Sequence, residues 1–241
     1  MGCGFSVPDS KRKALAYETG VHVGDGCMVC KPRYYRVIYA GDLKNDTLWF
    51  QQTLIPTVKQ LFGVTPRVYK RESDGTILLI INSKDVVHLK MRMGLPAGRK
   101  VFAELPGFIQ NEEMLPLFIK GIADTDFFVN FKKDRKGIPR EPRIGASFGE
   151  KNLVIQIQRL LEELGFKPTV ITDIVRKNGY REHQIWLYGK KNLKEWIKKI
   201  GFENPKHLTK IRVWEKIGFC PPNTTVDERI MMLNRETNLH N

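Results

Sequence analysis

Hydrophobic and polar positions along this chain alternate between helical spacing and strand spacing, and one order of elements occurs twice. The predicted elements of the first copy are a helix that ends at about Gly26, strands over 27–31 and 33–40, a helical segment over 45–62, a hairpin over 66–82 and a helix over 83–93. Pro56 should kink or split the segment over 45–62, because proline lacks the N–H that a helix interior needs. Ser73-Asp74-Gly75 supplies the turn of the hairpin, and Gly94 ends the last helix.

The second copy repeats this order about a hundred residues later. Its predicted elements are a helix over 111–126, strands over 127–131 and 142–148, a helix over 151–164, a hairpin over 169–188 and a helix over 191–200. The segment after Phe202 has no counterpart in the first copy, and its pattern predicts further helices over 205–218 and 226–234. We therefore expect two halves, 1–100 and 113–241, which are joined by a linker over 101–112, with a helical extension at the end of the second half.

A tandem αββαββα unit predicts an α+β fold built from antiparallel sheets. Two such units related by a pseudo-twofold axis place their sheets side by side, which forms one saddle-shaped surface. Strands of suitable curvature can lie in the major groove of DNA. Tandem duplication also occurs in enzymes that never contact nucleic acid, so the topology alone leaves the partner open.

Small residues four positions apart occur in one predicted helix of each copy, and an aspartate follows directly. The residues are Gly20, Gly24 and Asp25 in the first copy and Gly121, Thr125 and Asp126 in the second. Small residues at this spacing share one helix face and allow two backbones to approach closely. If the two helices pack there, Asp25 and Asp126 emerge side by side, and two converging carboxylates suit an oxygen-seeking cation such as Mg²⁺.

The charge balance is strongly basic and narrows the class of partner. The chain has 40 Lys and Arg against 26 Asp and Glu, which gives a net charge of +14 and a pI near 9.7. Neutralising phosphates releases counterions, so such a chain is a candidate polyanion binder, although basic proteins without nucleic-acid partners are common. No stretch approaches the roughly 20 apolar residues of a membrane span, and the first residues lack the apolar segment of a signal peptide. We therefore expect a protein of the cytoplasm, or of an organelle in a eukaryote, with no membrane partner.

Cys27 and Cys30 have the CxxC spacing that occurs in zinc and redox sites. A second such pair is missing, and His22 with Cys3 would complete only an irregular metal site. If residues 27–30 are extended, positions three apart point to opposite faces of the strand and cannot share a metal. Ordinary packing is therefore the favoured interpretation of these cysteines.

The two motif segments resemble those of the LAGLIDADG homing endonucleases, particularly the single-chain archaeal intron-encoded members. The resemblance rests on Gly20-Val21-His22-Val23-Gly24-Asp25-Gly26 and on Gly121-Ile122-Ala123-Asp124-Thr125-Asp126. Supporting segments are Ser83-Lys84-Asp85 and Pro205-Lys206-His207-Leu208. The resemblance covers about residues 13–218, and two motifs at domain spacing with the same element order after each make it specific.

The resemblance implies a monomeric, site-specific double-strand DNA endonuclease whose two pseudo-symmetric halves pack through the motif helices. Asp25 and Asp126 would hold divalent ions between the two scissile phosphates, with the backbone carbonyls of Gly24 and Thr125 as further ligands. Mg²⁺ is the implied cofactor, and Mn²⁺ or Ca²⁺ can substitute in binding. The implied substrate is double-stranded DNA with a long, partly pseudo-palindromic target site. In the family the cut crosses the minor groove and leaves short 3′ overhangs.

The resemblance also implies basic side chains at the catalytic centre and on the strands that contact DNA. The candidates for the centre are Lys84, Lys190 and Lys191, with Lys44 and Glu150 or Lys151 as weaker choices. For each lysine, a solvated position outside the site is an equally good interpretation. The candidates for DNA contact are Arg33, Arg36, Lys44, Arg67, Lys70, Arg143, Arg176 and Arg181. Arginines can pair bidentately with guanine edges, whereas many contact only phosphate.

Departures from the family pattern occur at Phe127 and His22. Phe127 follows the second motif where the family prefers glycine, so that helix must end without a residue suited to the left-handed conformation. His22 lies one turn before Asp25 and is either a core or interface histidine or a pH-sensitive neighbour of the site. The alternatives to a DNA endonuclease are an RNA maturase that assists splicing of intron RNA and a catalytically inactive DNA-binding protein on the same scaffold.

Overall fold

The computed structural model describes residues 8–98, 104 and 106–234. Its strands are β1 (Gly26–Lys31), β2 (Tyr34–Asp42), β3 (Arg67–Arg71), β4 (Thr76–Ile81), β5 (Phe127–Lys133), β6 (Pro139–Phe148), β7 (Thr169–Val175) and β8 (Arg181–Tyr188). They form two four-stranded antiparallel sheets with the orders β1-β2-β4-β3 and β5-β6-β8-β7. The two sheets repeat one topology, which confirms the expected α+β fold of tandem units in a saddle-like arrangement.

The helices follow the expected order in both halves. They are α1 (Arg12–Asp25), α2 (Thr47–Trp49), α3 (Ile55–Phe62), α4 (Lys84–Arg92), α5 (Leu115–Asp126), α6 (Lys151–Glu163), α7 (Gly189–Lys199), α8 (Pro205–Ile217) and α9 (Val226–Asn234). Short 3₁₀ turns at Asp9–Lys11 and Gly107–Ile109 precede α1 and α5. The predicted extension after Phe202 is present as α8 and α9. Within the described ranges, no helix is long and apolar enough to cross a membrane.

The helices near Pro56 and near Asn111 have irregular beginnings. α2 continues into α3 through a π-helical turn over Phe50–Leu54, and Pro56 lies in the first turn of α3. Proline removes one N–H donor, and a π-helical turn shifts the hydrogen bonds to the i→i+5 pattern. The regular α-helix is therefore interrupted just before the proline, as expected, and the chain stays helical through the interruption. In the second half, α5 begins at Leu115 because the Asn111 side chain accepts a hydrogen bond from the Glu113 backbone N–H (2.8 Å) in a preceding turn.

Both motif helices pass straight into a strand, which corrects the expected mode of helix termination. Gly26 follows α1 with φ −78° and ψ 147°, and Phe127 follows α5 with φ −80° and ψ 158°. Both conformations are extended, so neither exit uses the left-handed region that favours glycine. Phe127 is therefore accommodated without backbone strain, and its buried ring lies against Trp196 and Phe148. Gly26 is needed for another reason, because a Cβ there would lie 2.6 Å from His22 Cα.

Each sheet buries one face under helices and leaves the other face open. In β4 the burial alternates residue by residue, with Ile77, Leu79 and Ile81 buried and their neighbours half-buried. The same alternation in β8 buries Ile185 and Leu187 on the side of α6 and α7. Side chains that share a face can therefore be identified from the pairing of the strands.

The interior of the first half contains a buried ion pair. Lys90 Nζ on α4 lies 2.7 and 2.8 Å from the two carboxylate oxygens of Glu18 on α1, and both side chains are fully buried. The Tyr39 hydroxyl also donates a hydrogen bond to the Glu18 carboxylate. Burial lowers the pKa of Lys90, while the charge of Glu18 opposes that change. Loss of either partner would leave the other polar group buried without compensation.

Candidate metal site and nucleic-acid interface

The two motif helices touch at their glycines. A Cβ on Gly20 would collide with the carbonyl oxygen of Phe118, and a Cβ on Gly121 would collide with the carbonyl oxygen of Tyr17. The backbones of α1 and α5 are therefore in direct contact. This is the close approach that small residues at this spacing allow.

The same contact brings the C-terminal ends of the motif helices together. Thr125 Oγ1 and Asp126 Oδ2 lie against Gly24, and Asp126 Oδ2 is 2.6 Å from the position that a Cβ on Gly24 would occupy. Gly24 directly precedes Asp25, so the Asp126 carboxylate lies beside the end of the opposite motif helix. Asp25 and Asp126 are both half-buried and are the last residues of α1 and α5. The structure thus juxtaposes the two helix ends that carry the aspartates.

The oxygen donors at these helix ends are of the kind that Mg²⁺ binds. The carboxylates lie at two helix C-termini, where the helix dipoles and the terminal carbonyl groups also favour a cation. In the part of the chain that the structure describes, no group of three or more His, Cys, Asp or Glu side chains could enclose a metal ion. Mg²⁺ is usually held by one or two carboxylates together with waters and substrate phosphates, so the residues present fit it.

The C-terminal extension holds α5 through the buried Asp124. Its carboxylate accepts hydrogen bonds from the backbone N–H groups of Glu203 and Asn204, both at 2.9 Å, and from the Tyr17 hydroxyl at 2.8 Å. Asn204 Nδ2 also donates to the Asp124 carbonyl at 3.0 Å. Burial raises the pKa of Asp124 to about 7, although these hydrogen bonds favour the charged form. The segment before α8 is therefore bonded to the motif helix two residues before Asp126.

Lys206 extends this network to the end of α5. Its Nζ lies 3.2 Å from the Thr125 carbonyl oxygen and 3.1 Å from Asp46 Oδ1. Asn204 Nδ2 donates to the same Asp46 oxygen at 2.7 Å. The Thr125 carbonyl, which is a candidate metal ligand, already accepts a hydrogen bond and retains one lone pair for a cation. Sequence reasoning had given Lys206 no role at the site, because its partners come from distant segments.

Lys84 is not close to the motif aspartates. Its Nζ lies 5.7 Å from the ring centroid of Tyr35, which pairs with Cys30 on β1. Cys30 is four residues along β1 from Gly26, a separation of roughly 13 Å in a strand. Lys84 therefore lies at the end of the first sheet that is remote from Asp25.

Lys190 and Lys191 occupy the corresponding remote end of the second sheet. Both are exposed in the first turn of α7, which begins directly after Tyr188. Lys190 Nζ lies 5.9 Å from the ring centroid of Trp214. Tyr188 pairs with Arg143, and Arg143 pairs with Asn130 on β5. Asn130 lies three positions beyond Phe127, the residue that follows Asp126. The structure thus separates all three first-choice lysines from the aspartates.

Strand register identifies Lys44 and Lys151 as equivalent positions at the aspartate end of each sheet. The residue after each motif aspartate pairs with Tyr39 in the first sheet and with Ala146 in the second. Lys44 and Lys151 follow these partners by the same number of positions, and both are exposed. Lys151 Nζ lies 2.6 Å from Asp173 Oδ2. These two weaker candidates are therefore better placed than the first choices.

Three of the arginines predicted to contact DNA lie on the open faces of the sheets. Arg67 on β3 pairs with the half-buried Ile80, which shares the open face of the first sheet. Arg36 on β2 lies on the same face, where its Nε donates to Asn82 Oδ1 at 2.9 Å. Arg143 on β6 occupies the open face of the second sheet. These positions can contact a ligand that covers the saddle.

Two other candidates lie on the helix-covered faces. Lys70 pairs with the buried Ile77, which faces the helices of the first half. Arg181 lies two residues before the buried His183, so the alternation of β8 places it on the helix-covered side of the second sheet. A shift of one residue reverses the face that a strand side chain occupies, and the sequence alone does not fix that register.

The remaining candidates lie in loops. Arg33 is exposed in the turn between β1 and β2 with φ 61°. Arg176 lies in the hairpin between β7 and β8, where its Nη2 is 2.6 Å from Glu182 Oε1. Lys44 follows β2 and lines a cavity of about 640 Å³ together with Lys70. These residues are placed to contact phosphates more readily than base edges.

Sequence reasoning missed an aromatic cluster on the open face of the second sheet. The aromatic cluster consists of Phe128, Trp186 and Tyr188. Trp186 stacks on Tyr188 with ring centroids 5.8 Å apart and meets Phe128 edge to face at 5.2 Å. Only the alternation of Trp186 and Tyr188 along β8 could have indicated it. Also missed was Arg71, which pairs with Thr76 on the open face of the first sheet.

The cysteines of β1 do not form a metal site with each other. Cys27 is exposed and Cys30 is half-buried, and their spacing along an extended strand directs them to opposite faces. Cys3 lies outside the described residues. His22 is buried on α1, where its ring meets that of Tyr39 edge to face at 5.9 Å.

Comparison with known proteins agrees with the fold. Residues 113–201 match the family model of the LAGLIDADG-like domain. Residues 113–201 of the chain are therefore similar to a LAGLIDADG-like domain. The matched range contains the second motif helix, its sheet and the helices that cover that sheet, and the first half repeats the same topology.

Solved structures share the fold across both halves. Mesophilic variants of the homing endonuclease I-DmoI align with a TM-score of 0.57 at 19% identity, covering 80% of this chain and 97% of that chain. I-DmoI in complex with DNA and Ca aligns with a TM-score of 0.54 at 20% identity, covering 79% and 88%. A variant of I-SmaMI aligns with a TM-score of 0.55 at 10% identity, covering 93% and 92%. The chain therefore has the same fold as these homing endonucleases.

One relative is a much longer protein. The replicative DNA helicase DnaB of Nostoc sp. strain PCC 7120 is 22% identical over 238 residues, which cover 92% of this chain. The chain spans only 26% of the length of that relative. A match of this extent does not transfer the activity of the helicase to this chain.

Proposed function

We propose that this protein is a site-specific endonuclease of the LAGLIDADG type that hydrolyses both strands of DNA with divalent metal at the junction of α1 and α5. The observation that carries the proposal is the juxtaposition of the two helix ends, each of which carries a half-buried aspartate. A net charge of +14 and arginines on the open sheet faces support a polyanionic partner. The fold is that of homing endonucleases, and one solved relative is in complex with DNA and Ca.

In this proposal Asp25 and Asp126 would hold a divalent cation, with the carbonyls of Gly24 and Thr125 as further candidate ligands. When bound, Mg²⁺ or Mn²⁺ would lower the pKa of an attacking water and would stabilise charge on the phosphate oxygens. In each strand the water oxygen bonds to phosphorus, and the bond from phosphorus to the 3′ oxygen breaks. One water proton passes to the leaving 3′ oxygen and the other to solvent, which yields a 5′-phosphate and a 3′-hydroxyl.

Lys44 and Lys151 take the role first predicted for the lysines at the remote ends of the sheets. A cationic side chain close to the scissile phosphate stabilises the negative charge that develops on its oxygens. Lys151 is oriented by its contact with Asp173, and the backbone N–H of Lys44 donates to Asp42 Oδ1 at 3.1 Å. Each half would thus supply one aspartate and one lysine to one strand.

The proposed substrate is a long, partly pseudo-palindromic duplex bound by a monomer. One chain supplies both halves of the saddle, so a second copy is not needed to present two sites. Arg36 and Arg67 of the first sheet and Arg143 of the second are placed to contact the duplex. Because the two open faces carry different side chains, the two half-sites should be related but not identical.

Selection of cut molecules from a partly randomised duplex library in Mg²⁺ tests this function. The wild type should recover one long target, and the Asp25→Asn/Asp126→Asn variant should bind that target within a few-fold of wild type without cutting it. Asp85→Asn is the matched control, because Asp85 is exposed in the first turn of α4, and it should cut like wild type. Binding without cutting by the wild type would contradict the endonuclease and favour an RNA maturase or an inactive DNA-binding protein. Intron RNA would then be the next ligand to measure.

A further inference from the structure

The aromatic cluster on the second sheet has no aromatic counterpart on the first. The two sheets share one register, so each residue of the cluster can be aligned with a residue of the first half. The residues aligned with Phe128, Trp186 and Tyr188 are Cys27, Ile80 and Asn82. Equivalent parts of the two open faces therefore present different chemistry to a ligand that covers both.

The sheet beneath the aromatic cluster is adapted to it. A Cβ on Gly145 would come within 2.6 Å of Trp186 Cε3, so the indole lies closer to this strand than any side chain there would allow. Ile38 occupies the aligned position of the first half. Tyr188 remains 45% exposed, and Trp186 and Phe128 are half-buried. The cluster is thus a continuous apolar surface and not part of the buried core.

The polar groups next to the aromatic cluster are bonded to each other. Trp186 Nε1 donates to Gln184 Oε1 at 2.9 Å, and Gln184 Nε2 donates to Glu182 Oε1 at 2.5 Å. Arg176 Nη2 lies 2.6 Å from the same Glu182 oxygen. Glutamine and glutamate are the residue types that read adenine and cytosine, but here both are engaged by neighbours. The surface therefore offers a base edge mainly apolar contact.

We propose that the aromatic cluster recognises thymine through its C5-methyl group. This inference rests on the proposed binding of duplex DNA to the open faces. The thymine methyl is the apolar group among the base edges of the major groove. The donors and acceptors of other edges would lose water against this surface without gaining a partner.

Basic residues beside the aromatic cluster supply the charge that a duplex requires. Arg143 pairs with Tyr188 across the sheet, and the exposed Lys132 shares the open face on β5. Lys190 is exposed just beyond the end of β8. Phosphate contacts from such side chains position a duplex, while the cluster contacts the base edges between the strands.

Stacking on unpaired bases of a single strand is less consistent with the geometry. A stacked base needs an aromatic face that is open to solvent. Trp186 and Tyr188 stack on each other, and Gly145 lies against the indole, so much of the ring surface is already covered. Contact with a methyl group needs only the exposed edges of the rings.

Binding to two alternating duplexes of equal length, one of adenine and thymine and one of adenine and uracil, isolates the methyl group. The wild type should bind the thymine duplex about four-fold more tightly or better, the factor expected from burial of one methyl-sized group. Trp186→Ala should bind the thymine and uracil duplexes with equal affinity. Tyr69→Ala is the matched control, because Tyr69 is 46% exposed on the open face of the first sheet, and it should keep the ratio. Phe128→Leu, a smaller change, should lower the ratio in part.

Each of the following results would overturn the inference. Equal affinity of the wild type for both duplexes would remove thymine recognition and leave the endonuclease proposal intact. An unchanged ratio in both Trp186→Ala and Phe128→Leu would assign the methyl contact to another surface. Tighter binding of single-stranded DNA than of either duplex would indicate base stacking instead. Failure to bind any of these nucleic acids would contradict the proposed function as well.

Discussion

The two halves of this molecule share one scaffold and fill its interior with different chemistry. The first half buries the Glu18–Lys90 ion pair, whereas the second half surrounds Trp196 with aromatic rings at centroid distances of 5.4 to 5.8 Å. The residue of α5 that aligns with Glu18 is the fully buried Ile119. The scaffold thus requires a filled interior and a close helix contact, and it tolerates either a charged or an apolar filling.

The open faces differ in the same way, while the helix ends are alike. Arg67, Tyr69 and Arg71 line the open side of β3, whereas Thr169 and Ile171 occupy the matching part of β7. Each motif helix nevertheless ends in an aspartate beside the same contact. A duplicated scaffold can therefore keep its proposed chemistry symmetric while its two surfaces diverge.

The largest expected effect comes from the aspartates. Asp25→Asn and Asp126→Asn should each reduce cleavage of one strand on the order of 10³-fold or more, because a metal site contributes several kcal/mol of charge stabilisation. The two variants should leave opposite strands intact, which strand-specific end labels on the target duplex would reveal. If either variant lost cleavage of both strands equally, the halves would not act on separate strands.

The buried ion pair of the first half can be broken and then neutralised. Lys90→Met should lower the free energy of unfolding by about 3–5 kcal/mol, because the Glu18 charge is left buried without its partner. Glu18→Gln/Lys90→Met should recover most of this loss, since no charge remains and the amide oxygen still accepts from Tyr39. Denaturant titration measures both.

Ile119 provides the control for that comparison in the second half. Ile119→Val removes one buried methyl group and should cost only about 0.5–1.5 kcal/mol. A cost for Lys90→Met no larger than that of Ile119→Val would mean that the ion pair is not excluded from water.

Lys44 and Lys151 should show equivalent roles in the two halves. Lys44→Met and Lys151→Met should each slow single-turnover cleavage by about tenfold to a hundredfold, with affinity changed by a few-fold, because their charge acts on the transition state. Lys84→Met at the remote end of the first sheet should cut at nearly the wild-type rate. If Lys84→Met cut slowly while Lys44→Met cut at the wild-type rate, Lys84 would be the catalytic lysine of the first half.

The smallest effect concerns the extension that only the second half possesses. Burial, with the nearby charges of Lys206 and Lys210, holds the pKa of His207 well below its ordinary value. Below about pH 6.5 the unfolded chain takes up a proton that the folded chain does not. The free energy of unfolding should therefore decrease as the pH is lowered, by at most about 1.4 kcal/mol per pH unit. His207→Phe should reduce this slope between pH 5 and 6.5 in thermal unfolding. Identical slopes in wild type and His207→Phe would show that His207 takes up a proton in the folded chain.

Local patterns predicted the elements of both halves because each strand has one buried face and each motif helix has its own small residues. The hairpin strand predicted over 76–82 is observed at Thr76–Ile81, and the helix predicted over 83–93 at Lys84–Arg92. The aspartates could be proposed for the same reason, since a glycine pattern and its acidic neighbour lie in one segment. Information of this kind is contained in a few adjacent residues.

Features that depend on pairing between distant segments could not be predicted. Lys84 matched its repeat partner in sequence, but the register of β1 and β2 places it at the wrong end of the sheet for the proposed chemistry. Lys70 is exposed like Arg67, yet it lies on the opposite face. Asn204 meets Asp124 across 80 residues, which no local pattern indicates.

Anomalous diffraction from crystals of the protein with its selected duplex and Mn²⁺ would test the central claim most directly. The account predicts a manganese peak within coordination distance, roughly 2.0–2.3 Å, of carboxylate oxygens from both Asp25 and Asp126, next to the scissile phosphates. Bound DNA with no manganese between these aspartates, or manganese bound only elsewhere on the chain, would contradict it.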